Sequence, residues 1–131
     1  MHSEIQELIE LARPLLGELA LSRADMSAAT VAAAIRSKSG RTYTGVCAHL
    51  SCGLGFCAEH AAVAEMLKAR ETQIEYIVAV CDDGVLAPCG RCRELMVQVD
   101  PRNFDTRVVL PGDRIVLLRE LLPDHWIGEQ T

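Results

Sequence analysis

Ile5, Leu8, Ala12, Leu15 and Leu19 recur at helical spacing, and Ser3 followed by Gln6 has the form of a capping box. The chain should therefore open with an amphipathic helix, kinked or interrupted at Pro14, which lacks the N–H that a helix ladder needs. Ala32-Ala33-Ala34 favours helix by propensity. Yet the turn cluster Ser37-Lys38-Ser39-Gly40 and the β-prone Thr42-Tyr43-Thr44 fit two strands about a turn, over 28–36 and 41–47. Ser51 to Gly55 reads as a loop. Cys57 to Ala69 is rich in Ala, Met and Leu and reads as a helix. The unbroken apolar run Ile77-Val78-Ala79-Val80 marks 74–81 as a buried strand, and Asp82-Asp83-Gly84 as the turn after it. Pro88 precedes a second cysteine-bearing helix over 89–99, stopped by Asp100-Pro101. Strands 107–110 and 114–118 flank Pro111-Gly112-Asp113. The order α-β-β-α-β-α-β-β predicts an α/β fold: one mixed sheet with helices on both faces, in a single domain over 1–131.

Charge and composition narrow the function classes. The net charge is −5 with no Lys/Arg run, which argues against a nucleic-acid or anionic-membrane surface. No apolar stretch approaches a membrane span, and Met1-His2-Ser3-Glu4 lacks the basic-then-apolar start of a signal peptide. The expectation is a cytoplasmic protein with no nucleic-acid or membrane partner. In that compartment the six cysteines point to metal binding or free thiols rather than disulfides.

The candidate chemistry lies in Cys57-Ala58-Glu59 and Pro88-Cys89-Gly90-Arg91-Cys92. Three thiolates leave a tetrahedral Zn2+ with an open fourth position, as a catalytic site requires. Both clusters fall at predicted helix N-termini, where the helix dipole favours thiolate. Glu59, in the first turn, can reach a water at the open position and serve as general base and then general acid. Three thiolates on Zn2+ carry one net negative charge, and Arg91 is the nearest fixed cation to offset it. A competing reading is a structural four-cysteine zinc site that adds Cys52 and leaves Glu59 idle. A redox Cys89-x-x-Cys92 pair would leave Cys57-Ala58-Glu59 unused.

From Met26 to Trp126 the chain resembles the cytidine deaminase family. The resemblance rests on Val31-Ala32-Ala33-Ala34-Ile35, Thr44-Gly45, Cys57-Ala58-Glu59, Pro88-Cys89-Gly90-Arg91-Cys92-Arg93 and Glu120-Leu121-Leu122-Pro123, which fall in family order. It looks closest to the blasticidin S deaminases, which share arginine inside the Cys-x-x-Cys. The resemblance implies a three-layer α/β/α sandwich around a mixed five-stranded sheet, and a homotetramer with sites at subunit boundaries. It implies hydrolytic release of ammonia from a small cytosine-type substrate and water, through zinc hydroxide attack at C4, with Glu59 passing protons to N3 and to the leaving amine. A deaminase of some other heterocycle is the alternative within the class.

The resemblance also marks a substrate pocket from Ala29, Cys47, His49, Ala58, Pro88 and Trp126. Cys47 and His49 stand where cytidine deaminases hold ribose with Asn and Glu. Ala29 replaces an aromatic on the first strand, and His60 stands where nucleoside deaminases often carry arginine. Trp126 matches an aromatic that closes over the ligand; it would otherwise anchor the tail on the subunit's own core. His49 would bind a ligand carboxylate or hydroxyl, or sit partly buried at a strand end.

Overall fold

The computed structural model describes residues 2–128. Helix α1 (His2–Ala12) buries Ile5, Leu8, Ile9 and Ala12. It already runs through Ser3, so Ser3 is not its cap. Gln6 instead donates to Glu10 one turn on, at 3.3 Å. Pro14 sits in a short 3-10 turn, Arg13–Leu15, that ends the helix. Leu15 and Leu19 therefore leave the buried stripe and are exposed.

Strand β1 (Leu19–Ala20) is a two-residue addition at the start of β2 (Ser27–Ser37). On its other edge β2 pairs antiparallel with β3 (Thr42–His49). After helix α2 (Ala58–Lys68), β4 (Ile74–Cys81) pairs with β2 on the same side as β1. Strand β5 (Gly84–Leu86) folds back on the end of β4. Helix α3 (Gly90–Val99) leads to β6 (Arg107–Leu110), which runs parallel to β4. β7 (Arg114–Leu117) closes the sheet antiparallel to β6, and Leu118 opens the short helix α4 (Leu118–Leu121) instead of extending the strand. The long strands form the expected mixed five-stranded sheet, in the order β3-β2-β4-β6-β7; among the described residues β1 and β5 bring the total to seven.

Period-two alternation explains the layers. Ala32 and Ala34 on β2, with Val78 and Val80 on β4, meet α1 on one face. Ala33, Ile35, Ile77 and Ala79 face the other way, toward Ala58, Ala62, Val63 and Met66 of α2 and Met96 and Val97 of α3. The result is a three-layer α/β/α sandwich.

Two local features fix how α2 sits. Gly45 on β3 packs directly under the helix: a Cβ there would stand 2.4 Å from the Ala62 amide nitrogen and 2.8 Å from the Ala58 carbonyl oxygen. Only glycine allows that approach. Beyond the helix, Tyr43 and Ser37 donate from the β2–β3 hairpin to the carboxylate of Glu71, the Ser37 bond measuring 2.7 Å. Hydrogen bonds from Tyr43, Ser39 and Ser37 hold the Glu71 carboxyl down to about 2.

Candidate metal centre

Each half of the cysteine motif sits at a helix start, one residue earlier than the sequence pattern suggests. Cys57 is the N-cap of α2 and Cys89 the N-cap of α3, both with extended backbone. Cys92 lies in the first turn of α3, fully buried. Because β2–β3 and β4–β5 bring the two helix starts together, the three sulfur atoms lie within 4.8 Å of one another. Cys57 Sγ is 3.5 Å from Cys89 Sγ, which is 3.4 Å from Cys92 Sγ. Tetrahedral zinc with Zn–S near 2.3 Å requires sulfurs about 3.8 Å apart. The Cys57–Cys89 and Cys89–Cys92 pairs are within a few tenths of that spacing, and the soft donors suit zinc.

Electrostatics at the centre depend on depth. Burial pushes the Cys92 thiol far up, and the Glu59 carboxylate adds to that. Burial, with a hydrogen bond to Cys89, also raises Cys57. Cys89 is lowered: its burial opposes ionisation, but the Cys92 backbone amide and the neighbouring thiols outweigh it. A divalent cation is the group that would ionise all three. Glu59 is 5 % exposed, and burial raises its carboxyl above the ordinary glutamate value. His60 Nδ1 lies 3.4 Å from Cys92 Sγ. Burial first, and then the charge of Arg91, lower its pKa.

A cavity of about 370 Å³ opens over this cluster. Cys57, Ala58, Glu59, Cys89 and Arg91 line its helix side. Val31, Cys47 and His49 line it from the ends of β2 and β3, and Leu50, Phe56 and Leu86 form apolar parts of the wall. The return loop is pinned by the Ala48–Phe56 bridge, and Gly55 is required there, since a Cβ would stand 2.7 Å from the Ala48 carbonyl oxygen.

Of the residues the sequence marked, Cys47, His49, Ala58, Glu59 and Arg91 line the cavity, with Cys57 and Cys89 of the thiol cluster. Three marked substrate contacts do not. Ala29 is buried with φ +67° in a bulge of β2, its carbonyl accepting from Gly17 at 3.0 Å. Pro88 is buried, and its carbonyl accepts from Arg93 Nε at 2.8 Å. Trp126 is 81 % exposed, so it neither anchors the tail on its own core nor reaches its own chain's cavity. Only its backbone is tied down, donating to Glu94 at 3.2 Å. Cys52 is exposed on the loop at φ +63° and stands outside the thiol cluster.

Sequence reasoning missed Val31, Leu50, Phe56 and Leu86 in the wall, and Thr30 behind it. It also missed Arg93 as a clamp, which bonds Pro88 and, at 3.0 Å, the Leu121 carbonyl. For Leu50 and Phe56 the available signal was their place as apolar residues on either side of the Ser51–Gly55 loop.

Residues 3–107 match the family described as the cytidine and deoxycytidylate deaminase zinc-binding region. Among solved structures, the chain is similar to cytidine deaminase from Mycobacterium tuberculosis. The two are 27 % identical with a TM-score of 0.78, over 94 % of this chain and 97 % of that one. Cytidine deaminase from Burkholderia pseudomallei is 29 % identical with a TM-score of 0.74, over 92 % and 98 %. Cytidine deaminase from Bacillus anthracis, at 22 % identity and a TM-score of 0.67 over 95 % and 88 %, shares the fold.

Proposed function

The chain belongs to the cytidine and deoxycytidylate deaminase zinc-binding family, and we propose that it removes the exocyclic amine of a cytosine-type ring by hydrolysis. Cys57, Cys89 and Cys92 are the zinc ligands in this reading and Glu59 is the proton shuttle. The observation that carries it is a buried carboxylate, Glu59, sharing one cavity wall with Cys57 and Cys89. Zinc, when bound, supplies a Lewis acid and lowers the pKa of a water in its fourth position.

The chain's own residues do the rest. Glu59 takes a proton from the attacking water and gives it to ring N3. It takes the second and delivers it to the departing amine, so that a keto ring and ammonia leave. Burial suits it to hold a proton between the two transfers. Arg91 and the two helix N-termini offset the negative charge of three thiolates. The apolar wall formed by Leu50, Phe56 and Leu86 keeps water from the ring.

The finer assignment is a blasticidin S-type deaminase, supported by Arg91 inside the Cys-x-x-Cys and by the absence of ribose-holding Asn and Glu at Cys47 and His49. A homotetramer goes with it, supported by exposed Leu54, Phe56, Leu86 and Trp126. Among the described residues, no helix is long and apolar enough to cross a membrane. A deaminase of a different heterocycle keeps the same chemistry with another ring in the cavity. The exposed Cys52 weighs against a four-cysteine structural module.

Ammonia release by the zinc-loaded protein, with cytidine and blasticidin S in parallel and Glu59→Ala as the blank, tests the function. Glutamate-dependent release from either supports the chemistry, and the faster substrate assigns the subgroup. No release from either contradicts the cytosine assignment. Zinc loss in Cys52→Ser would restore the structural module.

A further inference from the structure

Arg93 follows the last cysteine of the motif and lies outside the cavity lining. Its bonds converge on Cys89, whose sulfur neighbours both others, at 3.5 Å from Cys57 Sγ and 3.4 Å from Cys92 Sγ. The Arg93 side chain donates from Nε to the Pro88 carbonyl at 2.8 Å. The Arg93 backbone N–H donates to the Cys89 carbonyl at 3.0 Å. One residue therefore grips the peptide units on both sides of Cys89. The backbone bond is one that any residue of the helix would make. The side-chain bond is not: Pro88 precedes the N-cap, so its carbonyl lies outside the α3 ladder. Pro88 is buried, and a carbonyl left without a partner there would be costly.

The same guanidinium also reaches the other way. Nη1 donates to the carbonyl of Leu121, the last residue of α4, at 3.0 Å. The chain after α4 returns to α3, where the Trp126 N–H donates to Glu94 Oε1 at 3.2 Å. Two adjacent residues of α3 thus hold both ends of a C-terminal strap, 121–126. Leu121 and Leu122 pack against the core that Met96 and Val97 of α3 enter. Among the described residues Arg93 forms no ion pair with a carboxylate. Its planar fork is spent on two backbone carbonyls, one on the thiol turn and one on the strap.

We propose that Arg93 is a positioning residue for the metal centre, which holds Cys89 at its ligand position and couples that turn to the C-terminal strap. The inference rests on the deaminase reading in taking Cys89 as a zinc ligand. Arg93 acts through Cys89 and not on the substrate. The coupling is reciprocal: metal that fixes the Cys89 turn steadies the strap, and a held strap favours the ligand geometry.

Three measurements on wild type, Arg93→Ala and Arg93→Lys test this without turnover. They are zinc competition with a chromogenic chelator, the absorption spectrum of the cobalt(II)-substituted protein, and hydrogen exchange across 121–127 with and without zinc. Zinc affinity should fall roughly tenfold or more in Arg93→Ala, as on loss of a group that orients a ligand. Added guanidinium should restore part of it, and the thiolate-to-cobalt band should differ from that of wild type. Arg93→Lys keeps the charge without the fork, and its affinity should stay about threefold or more below wild type. It carries the same comparisons where Arg93→Ala does not fold. Zinc should slow exchange across 121–127 in wild type, and that protection should shrink in both variants. Wild-type affinity in either variant overturns the proposal, as does exchange of the wild-type strap that ignores zinc. Affinity lost with an unchanged cobalt spectrum and no guanidinium rescue also overturns it, because that marks a general loss of packing. Zinc-coupled exchange that depends on Arg93 in a protein releasing no ammonia would sink the deaminase reading alone. An active deaminase whose zinc affinity ignores Arg93 would sink this inference alone.

Discussion

Replacing Gly45 with alanine puts a methyl group into the backbone of α2. The new Cβ would meet the Ala62 amide nitrogen at 2.4 Å, Ala61 Cβ at 2.6 Å and the Ala58 carbonyl oxygen at 2.8 Å. Two of these obstacles are helix backbone, so no rotamer change relieves the clash. The helix has to retreat by about 1 Å to restore ordinary contact. Overpacking of this kind costs ~1–3 kcal/mol, and rigid obstacles place Gly45→Ala at the upper end. For a chain of this length each kcal/mol moves Tm by roughly 3–4 °C, so a drop of roughly 6–12 °C is expected. The damage reaches the site as well, because Ala58 follows Cys57 and precedes Glu59. A shift of α2 opens the 3.5 Å gap between Cys57 and Cys89 sulfurs, and zinc affinity should fall roughly tenfold or more. Thermal unfolding and competition with a chromogenic chelator read the two effects separately. A Tm within about 2 °C of wild type, with unchanged zinc competition, would refute the packing argument.

Two further outcomes follow from the electrostatics. The Glu71 carboxyl lies below its unfolded value, so its bonds to Tyr43 and Ser37 stabilise the protein above the ordinary glutamate pKa, and that stabilisation is lost as pH falls toward about 2. Glu71→Gln should therefore be less stable than wild type at neutral pH and no less stable at pH near 2, by denaturant midpoint; a gap independent of pH would contradict the assignment. Arg91→Ala should keep one zinc per chain, by metal analysis, yet lower kcat roughly ten- to a hundredfold, since the thiolate charge loses its nearest offset. Unchanged turnover at matched zinc would remove Arg91 from the mechanism.

Much of this architecture could be read from the chain. The buried run Ile77 to Val80, the turn clusters and Pro88 located the long strands and both cysteine-bearing helices. The motif spacing located the thiol cluster, because its residues lie at helix starts where short-range signals are strong. Two- and three-residue strands such as β1 and β5 carry no period to detect. The α1 stripe appeared to run on through Leu15 and Leu19 because periodicity cannot show which leucine meets a partner. That Ala29 sits in a bulge outside the cavity lining has no sequence mark, because left-handed backbone at an alanine carries no local pattern. Nor could the chain show that Trp126 stands out in solvent, since that depends on tertiary packing. The Thr30–Cys47–His49 cluster joins residues 17 and 19 positions apart through a shifted strand register, and no local pattern encodes it.

The central claim is that Glu59 moves protons and does not hold the metal. Glu59→Gln keeps the shape of the side chain and removes its basicity. Ammonia release by Glu59→Gln, measured on the substrate that wild type turns over fastest with zinc quantified in the same sample, tests that claim most directly. The account predicts one zinc per chain and a rate lower by roughly a hundred- to ten-thousandfold. A rate within a few-fold of wild type, or a protein that no longer retains zinc, would contradict it.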